Sequence, residues 1–147
     1  MTQNKHWIER TDKDTHFTAS GVQNAMLLET VGDLPNDIQQ PNAITITRIT
    51  VWSKQNLDWD VMLFNNATGQ PSADADLHSM VDWVTFLTTD AVRIAGTGLY
   101  LYSVSGLSLS YLPDDRQFYI GLINRNATTK NAGTTGEAVV ELQGIYE

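Results

Sequence analysis

The groups in this sequence that could do chemistry are carboxylates, imidazoles and hydroxyls, and their spacing gives each a plainer use. Asp58 and Asp60 stand two apart in an apolar run, which puts both on one face of a strand. Such a pair serves acid–base work or calcium binding. It also serves as the wet face of a strand, where acids blunt edge pairing, and that use suffices here. Asp74 and Asp76 fall at the start of a candidate helix, where negative charge complements the dipole. Asp114 and Asp115 follow Pro113 in a turn, a setting that favours Asp. None of these makes the D-x-D-x-D-G order of an EF-hand loop. His6, His16 and His78 lack the i, i+4 spacing of a zinc helix, and the chain has no cysteine to supply a thiolate. Ser20-Gly21 and Ser105-Gly106 read as turns and not as a nucleophile elbow, and Gly96-Thr97-Gly98 lacks the rest of a phosphate-binding loop. The sequence therefore assigns no catalytic residue, cofactor or metal ligand, and an enzyme is not expected.

The elements that would carry these residues are mostly strands. Residues 44–65 form the centre, two runs rich in β-branched and aromatic residues around the polar break Ser53-Lys54-Gln55-Asn56. In the second run Leu57, Trp59, Val61 and Leu63 alternate with Asp58, Asp60 and Met62, the period of a half-buried strand. In the first, Ile44 and Ile46 are out of phase with Ile49 and Val51. The slip at Thr47-Arg48 predicts a β-bulge, or a strand buried on each face in turn. Further strands are expected over 22–31, 83–87, 99–103, 105–112, 117–124 and 137–146, between turn clusters rich in Gly, Pro, Asn and Asp. Residues 73–83 carry Leu77, Met80, Val81 and Val84 at helical spacing behind Ser72 as N-cap, which predicts one short helix. Residues 1–20 are polar, with His6-Trp7-Ile8 the one apolar nucleus before Phe17. They read as an edge strand, or as an arm that docks on a neighbour so that its indole is not left in water. On the second reading Trp7, Ile8 and Arg10 are the candidate partner interface.

The chain of 147 residues has a net charge of −8 and is 41% hydrophobic, which suits a single acidic domain able to bury a core without staples. The nine basic residues are scattered, so nucleic acid and anionic membrane surfaces are not expected as partners. The first ten residues carry no apolar signal core, and the longest apolar-leaning run, 98–112, is broken by serines and glycine. The expectation is a protein that does not cross a membrane by a signal-peptide route. Eight or so short strands with uneven connections and one inserted helix predict an all-β antiparallel sandwich of jelly-roll type over 21–147, behind the 1–20 arm or edge strand. An immunoglobulin-type sandwich competes with it; the inserted helix and the missing cysteine pair weigh against that fold.

Two segments carry a resemblance. Trp59-Asp60-Val61-Met62-Leu63-Phe64-Asn65-Asn66 with Gly69 precedes the predicted helix, and Phe118-Tyr119-Ile120-Gly121-Leu122-Ile123-Asn124-Arg125 runs into a Gly/Thr loop before the last strand. From residue 44 to the end, this pattern of strand and turn types resembles the small jelly-roll structural proteins of tailed-phage virions; Asn65 stands where that family often has Asp. The resemblance implies a capsid cement or decoration subunit, commonly trimeric, on the head surface. Its partner would be the major capsid protein, and it would be assembled in the host cytoplasm. It transfers no functional residue. The alternative is a receptor- or carbohydrate-binding sandwich of a tail or head fibre, which predicts an exposed Trp or Tyr.

Overall fold

The computed structural model describes residues 5–10, 26–33, 44–64, 80–111, 117–125 and 138–146. Nine strands lie among them: β1 (Lys5–Arg10), β2 (Met26–Asp33), β3 (Ile44–Ser53), β4 (Trp59–Phe64), β5 (Met80–Phe86), β6 (Val92–Ile94), β7 (Leu99–Tyr111), β8 (Gln117–Asn124) and β9 (Ala138–Tyr146). A five-stranded sheet has the order β1-β9-β3-β7-β6, and a four-stranded sheet the order β2-β8-β4-β5. Every pairing is antiparallel. The chain is thus an all-β sandwich. Its pairings are nested: β1 with β9, β2 with β8, β3 with β7, and β4 with β5. Two further pairings, β3 with β9 and β4 with β8, knit these pairs into sheets.

The phase slip in β3 is a bulge. Ile44, Ile46, Ile49 and Val51 are all fully buried, so both halves of the strand face one core. Against β9, Ile46 pairs with Gly144 and Arg48 with the adjacent Gln143, leaving Thr47 as an extra residue. Without Thr47, the run Ile44-Thr45-Ile46-Arg48-Ile49-Thr50-Val51 alternates unbroken. On the other side Ile46 pairs with Leu109 and Arg48 with Ser105, so Gly106, Leu107 and Ser108 of β7 bow out opposite the bulge. Gly106 has φ 73°, a conformation that glycine adopts without steric cost. The break expected between two strands at 103–105 is therefore a bend inside one continuous strand of 13 residues.

The two central runs do not pair as a hairpin. β3 lies in the larger sheet and β4 in the smaller, so residues 54–58 carry the chain across the sandwich. Tyr102 of β7 fixes that crossing. Its buried hydroxyl donates to Asn56 Oδ1 at 2.7 Å and accepts the Leu57 N–H at 3.0 Å. Ser53 adds a local clasp, its Oγ donating to the Gln55 carbonyl at 2.8 Å and accepting the Gln55 N–H at 3.0 Å. The ring of Tyr102 also meets Phe86 of the opposite sheet, with centroids 5.9 Å apart at 57°. Burial is the main cause that pushes the Tyr102 phenol above its ordinary value of 10.0.

Tyr102→Phe removes one acceptor and orphans the Leu57 N–H, at an expected cost of about 1–3 kcal/mol in urea unfolding. The pH dependence has a definite sign. The folded chain keeps the phenol proton where the unfolded chain releases it, so this stabilisation is intact below about pH 10 and lost as pH rises toward the folded pKa. Wild type should lose stability faster than Tyr102→Phe above about pH 10.

The remainder of the core comes from the inner faces of both sheets: Leu57, Trp59, Val61, Leu63, Ile120 and Leu122 pack against the β3 residues with Val140 and Leu142 of β9. Gly144 of β9 shows how tight the packing is. A Cβ there would lie 2.7 Å from the Thr45 carbonyl oxygen and 3.3 Å from Ile44 Cγ1. The first neighbour is backbone in the middle of a sheet, so Gly144→Ala should destabilise by about 1–3 kcal/mol, read from the urea midpoint.

The expected helix over 73–83 is corrected over its last third. Met80, Val81, Asp82 and Trp83 belong to β5, while 73–79 lie outside the described residues. The cause is a second bulge. Leu63 pairs with Asp82 and Phe64 with Met80, so Val81 is the extra residue. That insertion breaks strand alternation and leaves apolar residues at 80, 81 and 84, the spacing of a helix face.

Candidate functional site

Asp58 and Asp60 flank Trp59 at the start of β4, and each is engaged by a different neighbour. Asp58 Oδ1 accepts the Thr88 N–H at 2.6 Å, which anchors the 3-10 turn Thr88–Asp90 after β5. Its carbonyl accepts the Arg125 N–H at 2.9 Å, just past β8. Asp60 Oδ1 accepts the Thr85 hydroxyl at 2.6 Å, and Oδ2 meets Arg125 Nε at 3.3 Å. The two acids fasten β5 and the end of β8 to β4 from opposite sides. They are structural ties, more than the plain wet face that alternation alone suggests.

His6 is exposed on β1, and His16, His78, Asp74, Asp76, Asp114 and Asp115 lie outside the described residues. Ser105-Gly106 sits inside β7 and is not a turn between elements. Gly96-Thr97-Gly98 is the tight turn joining β6 to β7: both glycines have positive φ, and Thr97 Oγ1 donates to the Ile94 carbonyl at 2.9 Å. Among the described residues no group of three or more His, Asp or Glu could hold a metal ion, and no helix is long and apolar enough to cross a membrane.

Surfaces carry more information than clusters. Trp7, Ile8 and Arg10 all lie on β1, an edge of the five-stranded sheet, but they point to different places. Trp7 is 6% exposed and belongs to the chain's own core. Its indole is covered within the chain, so no neighbour is required to shield it. Ile8 is 55% exposed on the outer face. Arg10 lies over the Trp52 ring, 4.8 Å from its centroid, and pairs through Nε with Glu141. Glu141 also accepts from Gln143 Nε2 at 2.8 Å, so this buried carboxylate is compensated on both oxygens.

The outer face of the same sheet divides in two. One half is hydroxyl-rich: Thr50, Ser103 and Arg48 join through the Ser103 hydroxyl at 3.2 and 2.9 Å, and Thr45 bonds Ser110 at 3.2 Å. The other half is an apolar row in register across four strands, Val139, Trp52, Leu101 and Val92, with Val92 62% exposed. On the smaller sheet Trp83 is 56% exposed, paired with Met62 in register and one step along the strand from the Asp60, Thr85 and Arg125 cluster. Trp83 falls where the expected helix over 73–83 meets the expected strand over 83–87, which left its facing open; its register opposite Met62 places it outward.

No protein-family model matches the chain, and a search of curated proteins gives no significant match.

Proposed function

We propose that the chain is a structural subunit of a tailed-phage virion, a cement or decoration protein whose jelly-roll body binds the major capsid protein on the head surface. One observation carries the reading: the nested pairing of β1 with β9, β2 with β8, β3 with β7 and β4 with β5, folded over into two sheets. A long antiparallel hairpin wrapped on itself gives that order, and such wrapping is the jelly-roll winding. In this reading β6 is a short strand appended to β7. The segments that carry the sequence resemblance contribute β4 and β8, neighbours at the middle of the smaller sheet. A fold hosts many functions, and what favours a structural one is the state of the chemistry-bearing groups. Asp58, Asp60, Glu141 and Tyr102 are all engaged in holding strands together.

The test adds purified protein to heads assembled without it. Binding should raise the temperature at which heads release their contents and their survival of osmotic shock. Heads that gain neither would overturn the proposal.

Trp83 favours a second reading, a receptor- or carbohydrate-binding module of a fibre. An exposed indole beside a carboxylate, a guanidinium and a hydroxyl offers a flat apolar surface with polar groups at its rim. A glycan array and host-cell binding separate the two readings. Binding that Trp83→Ala abolishes would support the second, and silence in both assays would remove it.

A further inference from the structure

Among the described residues the two sheets have four edge strands, and they differ in how they are protected. Exposed edges are templates for pairing, and folded proteins blunt them with bulges, short lengths or charge. β6 is three residues long. β5 is bulged at Val81, and β2 shifts register between Val31 and Asp33. β1 has no bulge, since its six residues pair with β9 from Lys5 to Arg10 without a shift, and its charged residues Lys5, Glu9 and Arg10 stand at its two ends and leave His6, Trp7 and Ile8 between them. In the middle of this regular edge stands Ile8, 55% exposed, on a face where its registered neighbours across the sheet are Gln143 and Arg48.

Electrostatics favour a copy of the same chain as the occupant. The molecule carries −8 overall, so most approaches of two copies bring like charge together. Along β1 and its neighbour β9 the charged residues are Lys5, Arg10, Glu9 and Glu141, which sum to zero. This edge is where two acidic copies can meet without net repulsion.

We propose that the β1 edge is a homotypic interface, in which two copies pair their β1 strands antiparallel about a two-fold axis at Ile8 and join their five-stranded sheets edge to edge. A perpendicular two-fold keeps inner faces with inner faces only when one residue lies opposite its own mate. Centring on Ile8 is the register that covers the exposed apolar side chains with each other. The contact is isologous and closes at two copies. This inference is separate from the virion reading and stands or falls without it.

The absence of cysteine makes the test direct. In Ile8→Cys the only thiols of the assembly face each other at the axis, and opposed cross-strand residues lie about 4.5–5.5 Å apart at Cβ, near the span of a disulfide. Under mild oxidation Ile8→Cys should convert to a covalent dimer much faster than Ser108→Cys, a control on the exposed face of β7. By sedimentation, wild type should be a dimer, and Ile8→Lys should weaken dimerisation by about tenfold or more. Circular dichroism checks that Ile8→Lys still folds; if it does not, the cysteine pair decides alone. Wild type that stays monomeric at all concentrations, an oligomer indifferent to Ile8→Lys, or equal cross-linking from Ser108→Cys would each overturn the proposal.

Discussion

Ile46→Asp and Ile49→Asp should each abolish folding, although the two residues are three apart in a strand. A plain strand puts positions three apart on opposite faces, so one of the two substitutions would be harmless. The bulge at Thr47 turns both side chains into the core, where both are fully buried. Each substitution forfeits about 1.5–3 kcal/mol of apolar burial. It also places a carboxylate in the core without a partner, a penalty of several kcal/mol even after relaxation. Together these approach the whole stability of a domain, about 5–15 kcal/mol. The variants should be insoluble, or soluble without a cooperative thermal transition. Thr45→Asp is the control: Thr45 is half-buried on the outer face beside Ser110, and its replacement should cost under about 1 kcal/mol. If Ile46→Asp or Ile49→Asp melts like wild type, the bulge is not where the register puts it.

Trp59→Ala should be the most damaging truncation of a single side chain. Trp59 is the largest fully buried residue and opens β4, where it lies between Phe86 of β5 and Asn124 of β8 in register. Removing an indole from such a position leaves a cavity and costs about 3–5 kcal/mol. The flanking ties suffer with it, because Asp58 and Asp60 hold β5 and Arg125 from positions that Trp59 sets. The expected result is a large drop in the urea midpoint with faster hydrogen exchange at Thr88 and Arg125. A loss below about 1.5 kcal/mol would mean that the core closes over the gap, and that Trp59 is not central to the packing.

How much of this was legible in the sequence depended on the range of the signal. Local alternation predicted β4 and β8, and the slip in β3 correctly pointed to a bulge, because a phase error of one residue is visible in the apolar pattern itself. The same kind of insertion misled at Val81, where it counterfeited helical spacing, since nothing local separates a bulged strand from a short helix. Trp7 shows the other limit. A lone indole in a polar stretch fits either an edge strand or a docking arm until its partner strand is known, and that partner, β9, lies 131 residues away at the Arg10–Glu141 contact. The functional surfaces were the least legible. Whether Ile8 or Trp83 meets solvent depends on which strands end a sheet, and strand order is fixed by long-range pairing that no local pattern encodes. Asp58 and Asp60 were visible as a pair facing away from the core, but Thr85, Thr88 and Arg125 as their partners were not.

The most direct measurement is sedimentation of purified protein with tailed-phage heads assembled without it, over a range of added concentrations. A cement or decoration subunit should co-sediment with the heads and saturate at a fixed number of copies per capsomer, with no binding to dissociated, unfolded capsid protein. Absence of the chain from the head pellet at every concentration, or binding that rises without saturation, would contradict a specific place on the capsid.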